Sequence, residues 1–396
     1  MEQSHTIPEA SLEVEVQNKN WIEDGKPDSF EQEVLNGIKG LNKGFSGGLK
    51  RLDKLIHGIQ KGRYYLVGAD SGVGKTTLVD FYFVLCAWLD AKKTGKKIKM
   101  FYVSLEIGAF DKKARWCSFY LGWKYGLNFS ASFILGRVPG KTPNAEQLKL
   151  IQEAYAFVEL VLQDVVLISA STHPTAIFTS IVEDHYAKHG IVYRKPQTQE
   201  DAKKGRKGII TGYTPNDTLP DTYLIVDHLA LLDTESGLDM KGTMDRMSKQ
   251  AVTLRNIFKL TCIFIQQFNT ELMASRREAI ARRGVKDAGN IITPQRLDFG
   301  DSKYTFRDCN VAIGLVKPAQ FDLAEYDDFN CQPTEAGGFG EYFIEGFLMK
   351  NRDGASDKRF PLFVNPVSGI FYDLPYEYGA DEQWYAYAKK LKEEHG

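Results

Sequence analysis

Residues 64–78, YYLVGADSGVGKTTL, limit the architecture of this chain more than any other stretch. An apolar run from Tyr64 to Val67 reads as a buried strand, breaks into small residues, and hands over to an apolar helix beginning near Thr76. Strand, small-residue loop, Lys-Thr and helix, in that order, are the layout of a phosphate-binding loop. Gly72 and Gly74 let the backbone turn its N–H groups inward around an anion, and the helix aims the positive end of its dipole at the same place. The expected loop is Ala69, Asp70, Ser71, Gly72, Val73, Gly74, Lys75, Thr76 and Thr77. Lys75 is expected on the β- and γ-phosphates of ATP, and Thr76 on Mg²⁺ through its hydroxyl. Ala69 stands where the pattern GxxxxGK(S/T) begins with glycine, and a small residue there still leaves room for the turn.

A chain of 396 residues, 43% hydrophobic, can bury one large core or two modest ones. Its net charge of −1 excludes a globally basic surface, so nucleic-acid binding has to come from local patches. Cys86, Cys117, Cys262, Cys309 and Cys331 are scattered, with no CxxC pair and no zinc spacing, which points to free thiols in a reducing compartment. The most apolar stretch, Leu78 to Leu89, is interrupted by Asp80 and is too short to span a bilayer, and the N-terminus has no secretion-signal pattern. A cytoplasmic location without membrane contact is expected.

Along the chain, residues 1–27 are polar and acidic and read as a tail, and 28–42 as a linker helix with Phe30, Val34, Leu35 and Ile38 at helical spacing. Such an isolated stripe must lie on the main body or on a neighbouring subunit. Residues 43–376 carry short buried strands alternating with helices. The strands are KKIKMFYVSLE, VVLIS, TYLIVDH, LTCIFIQQ and NVAIGLV, and Ser171 or Thr172 is a candidate cap for the helix containing Ile177. This alternation calls for an α/β fold with a mostly parallel, twisted sheet flanked by helices. Residues 190–220 lose periodicity and read as a surface insertion, while EYFIEGFLMK and KRFPLFVN read as a C-terminal β-hairpin. Residues 377–396 close the chain as a solvent-facing helix.

Asp227 ends a hydrophobic strand, where ligands of open α/β sheets bind, and a carboxylate there can order Mg²⁺ beside Thr76. Glu106 ends another strand and could deprotonate an attacking water, and Gln267 ends a third and could sense the γ-phosphate. Each alone is an ordinary polar strand end, and the phosphate loop gives them their joint meaning. Lys350 and Arg352 stand at alternate positions of a strand end, so they project from the same side. The segment after Gln267 carries Arg276, Arg277, Arg282, Arg283 and Lys286 with few acids. It reads as a basic DNA-gripping loop or as a charged surface helix. Lys241, Arg246 and Lys249, ahead of the next expected helix, form a second candidate loop.

Taken together, GLKRLDKLIHGIQKGRYYLVGADSGVGKTT, FYVSLE, LIVDHLALL, FIQQFN and LMKNRDG resemble the RecA-type motor domain of DnaB-like replicative helicases, from about Gly44 to about Leu374. The resemblance implies a RecA-like P-loop NTPase core and a homo-hexameric ring that uses ATP and Mg²⁺ to move on single-stranded DNA at a replication fork. It also implies a primase or helicase loader as partner, in a bacterial cell or phage-infected host. By the same resemblance Glu106 is the catalytic glutamate, Asp227 the Mg²⁺ carboxylate and Gln267 the residue coupling γ-phosphate to DNA. Lys350 and Arg352 match the basic pair that reaches a neighbour's nucleotide. The family's helical N-terminal domain is not expected, because only about forty residues precede the motor. A RecA- or RadA-like recombination ATPase and a nucleotide-binding assembly protein without productive hydrolysis remain as other classes.

Overall fold

The computed structural model describes residues 30–203, 208–216, 219–269, 271, 274–276, 278–279, 291–300, 302–375 and 382–395. The chain divides into two units, Met1–Lys43 and Gly44–Gly396. In the first, helix α1 (Phe30–Ile38) is shorter than the expected linker helix, and Asn42 Nδ2 donates to the Glu33 carbonyl 2.9 Å away. The expected tail lies outside the described residues.

The second unit begins with α2 (Lys50–Ile56), β1 (Tyr64–Ala69) and α3, which spans residues 75–94 and widens into a π-helical section over Val79–Cys86. There follow β2 (Ile98–Ser104), α4 (Ala109–Tyr125), α5 (Ala131–Ile134), α6 (Ala145–Asp164), β3 (Val165–Ile168) and α7 (Pro174–Thr179). Next come β4 (Gly190–Lys195), α8 (Gln199–Lys203), β5 (Ile209–Pro215), β6 (Asp221–Asp227), α9 (Met240–Phe258) and β7 (Thr261–Gln267). The chain continues with α10 (Lys303–Asp308), β8 (Val311–Val316), β9 (Glu325–Tyr326), β10 (Phe329–Asn330), β11 (Phe343–Asn351), β12 (Lys358–Asn365), β13 (Ile370–Asp373) and α11 (Glu382–His395).

A nine-stranded sheet runs in the order β13-β12-β11-β8-β1-β7-β6-β2-β3. From β8 to β3 all pairings are parallel, and β11, β12 and β13 add an antiparallel edge. The inner strands are buried on both faces, hence their unbroken apolar sequences. Alternate residues feed two cores: Tyr65, Val67, Tyr102, Ile225 and Ile263 face one with α3, α4 and α6, whereas Leu66, Leu224 and Phe264 face the other with α9. This is the expected mostly parallel α/β fold with its C-terminal hairpin, and the 190–220 insertion is a two-stranded β4–β5 hairpin.

Three expectations need correction. The cap of α7 is His173, whose Nδ1 accepts from the Ala176 N–H at 3.2 Å, because Ser171 is engaged by Asp233 and the Thr172 carbonyl accepts from the Asp233 backbone. Lys241, Arg246 and Lys249 lie within α9 and not in a loop ahead of it, since the Asp239 carboxylate caps that helix at Gly242. Finally, α11 is not merely solvent-facing. Ala388 and Leu391 are buried, and Trp384 and Tyr387 sit 5.3 and 5.4 Å from the Phe363 ring, because residues 384, 388 and 391 form one apolar stripe.

Candidate nucleotide site

The carboxyl ends of the parallel strands bring the loop after β1, Asp227 and Gln267 to one end of the sheet. Gln267, last residue of β7, pairs with Ala69, last of β1, and Asp227, last of β6, pairs with Ser104, last of β2. The loop after β1 turns at Gly72 (φ 72°) and Gly74 (φ 107°), left-handed conformations that a side chain would oppose. Ser71 N–H donates to Asp70 Oδ1 at 2.7 Å, and Lys75 Nζ donates to the Asp70 carbonyl at 2.8 Å, so the ammonium folds back over the loop. Burial pulls the Lys75 ammonium below its usual range, against the opposing pull of Glu106, Asp70 and Asp227.

Thr76 Oγ1 donates to Asp227 Oδ1 at 3.0 Å. Asp227 has no exposed surface, and burial pushes its carboxyl up to about 6, with Lys112 pulling the other way and Asp80 adding to the rise. A hydroxyl and a carboxylate held together are hard oxygen donors of the kind Mg²⁺ takes. Among the described residues no three His, Cys, Asp or Glu side chains could close around a metal. The remaining positions would belong to water and phosphate oxygens, which suits a cation that keeps waters and binds with nucleotide.

Glu106 lies two residues beyond the partner of Asp227 and is exposed, and its charge acts on Lys75, Asp227 and His228. The loop that carries it is held by the Leu105 N–H, which donates to the Asp227 carbonyl at 2.9 Å, and by Ser104 Oγ, which donates to the Ile107 carbonyl at 2.8 Å.

Several residues that the sequence did not single out join this end of the sheet. His228 is drawn below its usual range by burial, with Glu106 opposing and Lys75 assisting, and its Nδ1 is buried with no hydrogen-bond partner among the described residues. Lys317 Nζ donates to the Gly72 carbonyl at 3.3 Å and Gln320 Nε2 to the Ser71 carbonyl at 3.0 Å, bracing the loop from the turn after β8. Beneath the site, Lys112, Asp80 and Tyr102 form a buried polar cluster. Only the charge at Asp80, set in an otherwise apolar stretch, hinted at it.

Lys350 and Arg352 lie at the opposite end of the sheet. Lys350 pairs with Ala312 near the start of β8, whereas Leu315, near its end, pairs with Ala69 at the phosphate loop. Lys350 Nζ donates to the Phe306 and Arg307 carbonyls at 2.7 and 2.8 Å, and Arg352 Nη2 to the Arg307 carbonyl at 2.8 Å. The two cations thus sit together at the negative end of α10. Arg255 is close by, donating to the Asp308 carbonyl at 3.0 Å and Asn310 Oδ1 at 2.7 Å, and the charge of Arg352 helps to lower its pKa after the larger effect of burial.

The basic segment after β7 is divided. Arg276 forms an ion pair with Asp298 at 3.0 Å and is mostly buried, so its guanidinium is committed inside the fold and is not presented to a ligand. Arg277, Arg282, Arg283 and Lys286 lie outside the described residues. In the second candidate loop, Arg246 is paired with Glu235. Among the described residues no helix is long and apolar enough to cross a membrane.

No protein-family model and no curated protein sequence matches the chain. Solved structures do. The fold is similar to that of the ATPase domain of G40P, at a TM-score of 0.58 and 14% identity, over 88% of this chain and 100% of that one. It is equally similar to a DnaB-like replicative helicase solved in a study of its interactions with primase, at 0.58 and 14%, over 88% of this chain and 69% of that one. At that identity the likeness establishes the fold, which is the RecA-like fold of DnaB-like helicase ATPase domains.

Proposed function

We propose that this protein is an ATP-driven DNA helicase motor that translocates on single-stranded DNA and unwinds duplex ahead of it during replication. The observation that carries this reading is the division of charge between the two ends of one sheet. The phosphate loop, Asp227, Glu106 and Gln267 converge at the carboxyl end, while Lys350 and Arg352 stand at the amino end, away from the chain's own phosphate loop. Cations so placed serve a nucleotide only if a second copy presents its phosphate loop to them, as in a closed ring. A homo-hexamer is the assembly that this reading takes.

In this mechanism the loop N–H groups and Lys75 bind the β- and γ-phosphates, releasing Lys75 from the Asp70 carbonyl. Thr76 and Asp227 would hold Mg²⁺, which when bound neutralises charge on the phosphate oxygens. Glu106 accepts the proton of the attacking water, and Gln267 registers whether the γ-phosphate is present. Arg352, with Lys350, stabilises the charge that develops on a neighbour's phosphates. The segment following Gln267, with Arg277, Arg282, Arg283 and Lys286, would shift its grip on the DNA backbone as that signal changes. A primase or loader would dock on the assembled ring.

The test is strand displacement on forked duplexes with ATP and Mg²⁺, using tails of either polarity and Lys75→Ala as control. Unwinding by the wild type that requires one tail and is lost in Lys75→Ala is the expected result. DNA-stimulated ATP turnover with strand pairing and no unwinding would overturn the helicase reading in favour of a recombination ATPase. Nucleotide binding without turnover would overturn both.

A further inference from the structure

Lys112 has no exposed surface, and an ammonium in that position destabilises a fold unless its hydrogens and charge are matched. Here they are matched by groups from several elements. Lys112 Nζ lies 3.2 and 3.1 Å from the Asp80 carboxylate oxygens, 2.9 Å from the Tyr102 hydroxyl and 3.7 Å from Asp227 Oδ2. The Tyr102 hydroxyl accepts from Lys112 and points its own hydrogen at Asp80 Oδ1, 2.8 Å away, with Asp227 Oδ2 at 3.4 Å. All of these side chains are buried.

The elements joined at this point are those that carry the site. Asp80 follows Thr76 by four residues on α3, so the two share a face. Tyr102 lies on β2, which leads to Glu106, and Lys112 lies in the first turns of α4, which starts three residues after Glu106. Asp227 ends β6 and accepts from Thr76 on its other oxygen. One oxygen of the carboxylate is therefore held by Thr76, and the other faces the Lys112 ammonium and the Tyr102 hydroxyl.

We propose that Lys112 is a positioning residue that, itself anchored by Asp80 and Tyr102, fixes the Asp227 carboxylate against Thr76 in the placement that receives nucleotide-bound Mg²⁺. The proposal rests on the reading of the phosphate loop as a Mg²⁺-nucleotide site. It assigns Asp80 a role too: with an aliphatic residue there, Lys112 would lose its anchor and would no longer hold Asp227. A rival account makes Lys112–Asp80 an ion pair that serves the fold alone.

The two accounts separate on metal-dependent affinity. The dissociation constant of fluorescent mant-ADP is measured on the full-length protein in EDTA and in Mg²⁺, for wild type, Lys112→Met and the double variant Asp80→Leu/Lys112→Met. The double variant removes the Asp80–Lys112 pair together, so neither of those two ions is left unpaired, and Asp227 keeps the Thr76 and Tyr102 hydroxyls; circular dichroism of both variants checks that folding is retained. The phosphate loop is untouched, so affinity in EDTA stays at the wild-type level. The gain in affinity on adding Mg²⁺ falls by about 10- to 100-fold in both variants, the usual cost of deleting an outer-shell partner of a metal ligand. An undiminished Mg²⁺ gain in the double variant, or parallel loss of affinity with and without metal, overturns the proposal in favour of the ion pair that serves the fold. A wild type whose affinity gains nothing from Mg²⁺ overturns the nucleotide-site reading itself, and the positioning role with it.

Discussion

Glu345 is a carboxylic acid inside the sheet, and replacing it with Gln should remove a pH-dependent loss of stability. It lies on β11 between Val316 of β8 and Pro361 of β12 and has no exposed surface, and among the described residues no side chain hydrogen-bonds its carboxyl, which has only the Phe360 backbone beside it as a donor. Burial pushes its carboxyl up to about 8, reinforced by Asp327 and opposed by Arg359 and Arg51. The acid is therefore neutral in the folded protein at pH 7 but ionised in the unfolded chain. Below the ordinary value of 4.5 both states hold the proton and no stability is lost. As pH rises from 4.5 towards 8 the unfolded chain releases the proton first, and stability falls. Above 8 the loss is complete, and at 1.36 kcal/mol for each pH unit between the two values it reaches roughly 5 kcal/mol. Gln keeps the shape and carries no proton to lose. Urea denaturation of wild type and Glu345→Gln at pH 5, 7 and 9 measures the effect. The stability of the variant relative to wild type should rise by about 4 kcal/mol from pH 5 to pH 9, with most of the rise present by pH 7. A difference that is the same at pH 5 and pH 9, or that narrows, would refute the placement of a proton on Glu345.

On the proposed function, Arg352→Ala should lower ATP turnover by about 10³- to 10⁵-fold while leaving nucleotide binding near the wild-type level, because the lost guanidinium would act on the transition state of a neighbour's nucleotide. Mixing Arg352→Ala with Lys75→Ala should restore part of the turnover, since some interfaces then join an intact phosphate loop to an intact arginine. Near wild-type turnover in Arg352→Ala alone sinks that assignment. Single-strand binding should weaken steeply with salt, and the slope of log affinity against log salt should fall by roughly 1.4 in Arg282→Ala/Arg283→Ala, about 0.7 for each phosphate that is no longer neutralised. An unchanged slope moves the DNA-binding surface elsewhere.

Much of the sheet and of its carboxyl end was legible in the sequence because strands buried on both faces write themselves as short apolar runs, and their polar ends mark that end of the sheet. Asp227 and Gln267 each close such a run, whereas Glu106, expected to end another strand, lies two residues past the end of β2. Lys112 could not be found so. In sequence it is a second charge in FDKKAR, indistinguishable from Lys113, and only the winding of α4 turns one inward to Asp80 and leaves the other half-exposed beside Glu159. His228 escaped for a related reason, since a histidine after a strand end has no local signal that its ring is enclosed. The face of α11 was missed because charges at 389, 390, 392 and 393 outweigh the narrow stripe of residues 384, 388 and 391 when the segment is judged by composition.

Arg276 and Arg352 are both basic residues near a motif, but their surroundings differ. An arginine held by a buried carboxylate has its charge matched within the fold, and moving it to a ligand would leave Asp298, with almost no exposed surface, without its partner. Arg352 is held by a carbonyl at a helix end, and among the described residues no carboxylate forms an ion pair with it. Lys350 contributes a second positive charge to the same carbonyl, and the charge of Arg352 reaches Arg255, with Asp308 opposing it. Cations gathered without an equal number of carboxylates repel one another, a cost that an incoming anion relieves. A polyphosphate presented by another copy of the chain has the charge to relieve it, and binding at this end of the sheet should therefore be strongest for the nucleotide state carrying the most negative charge.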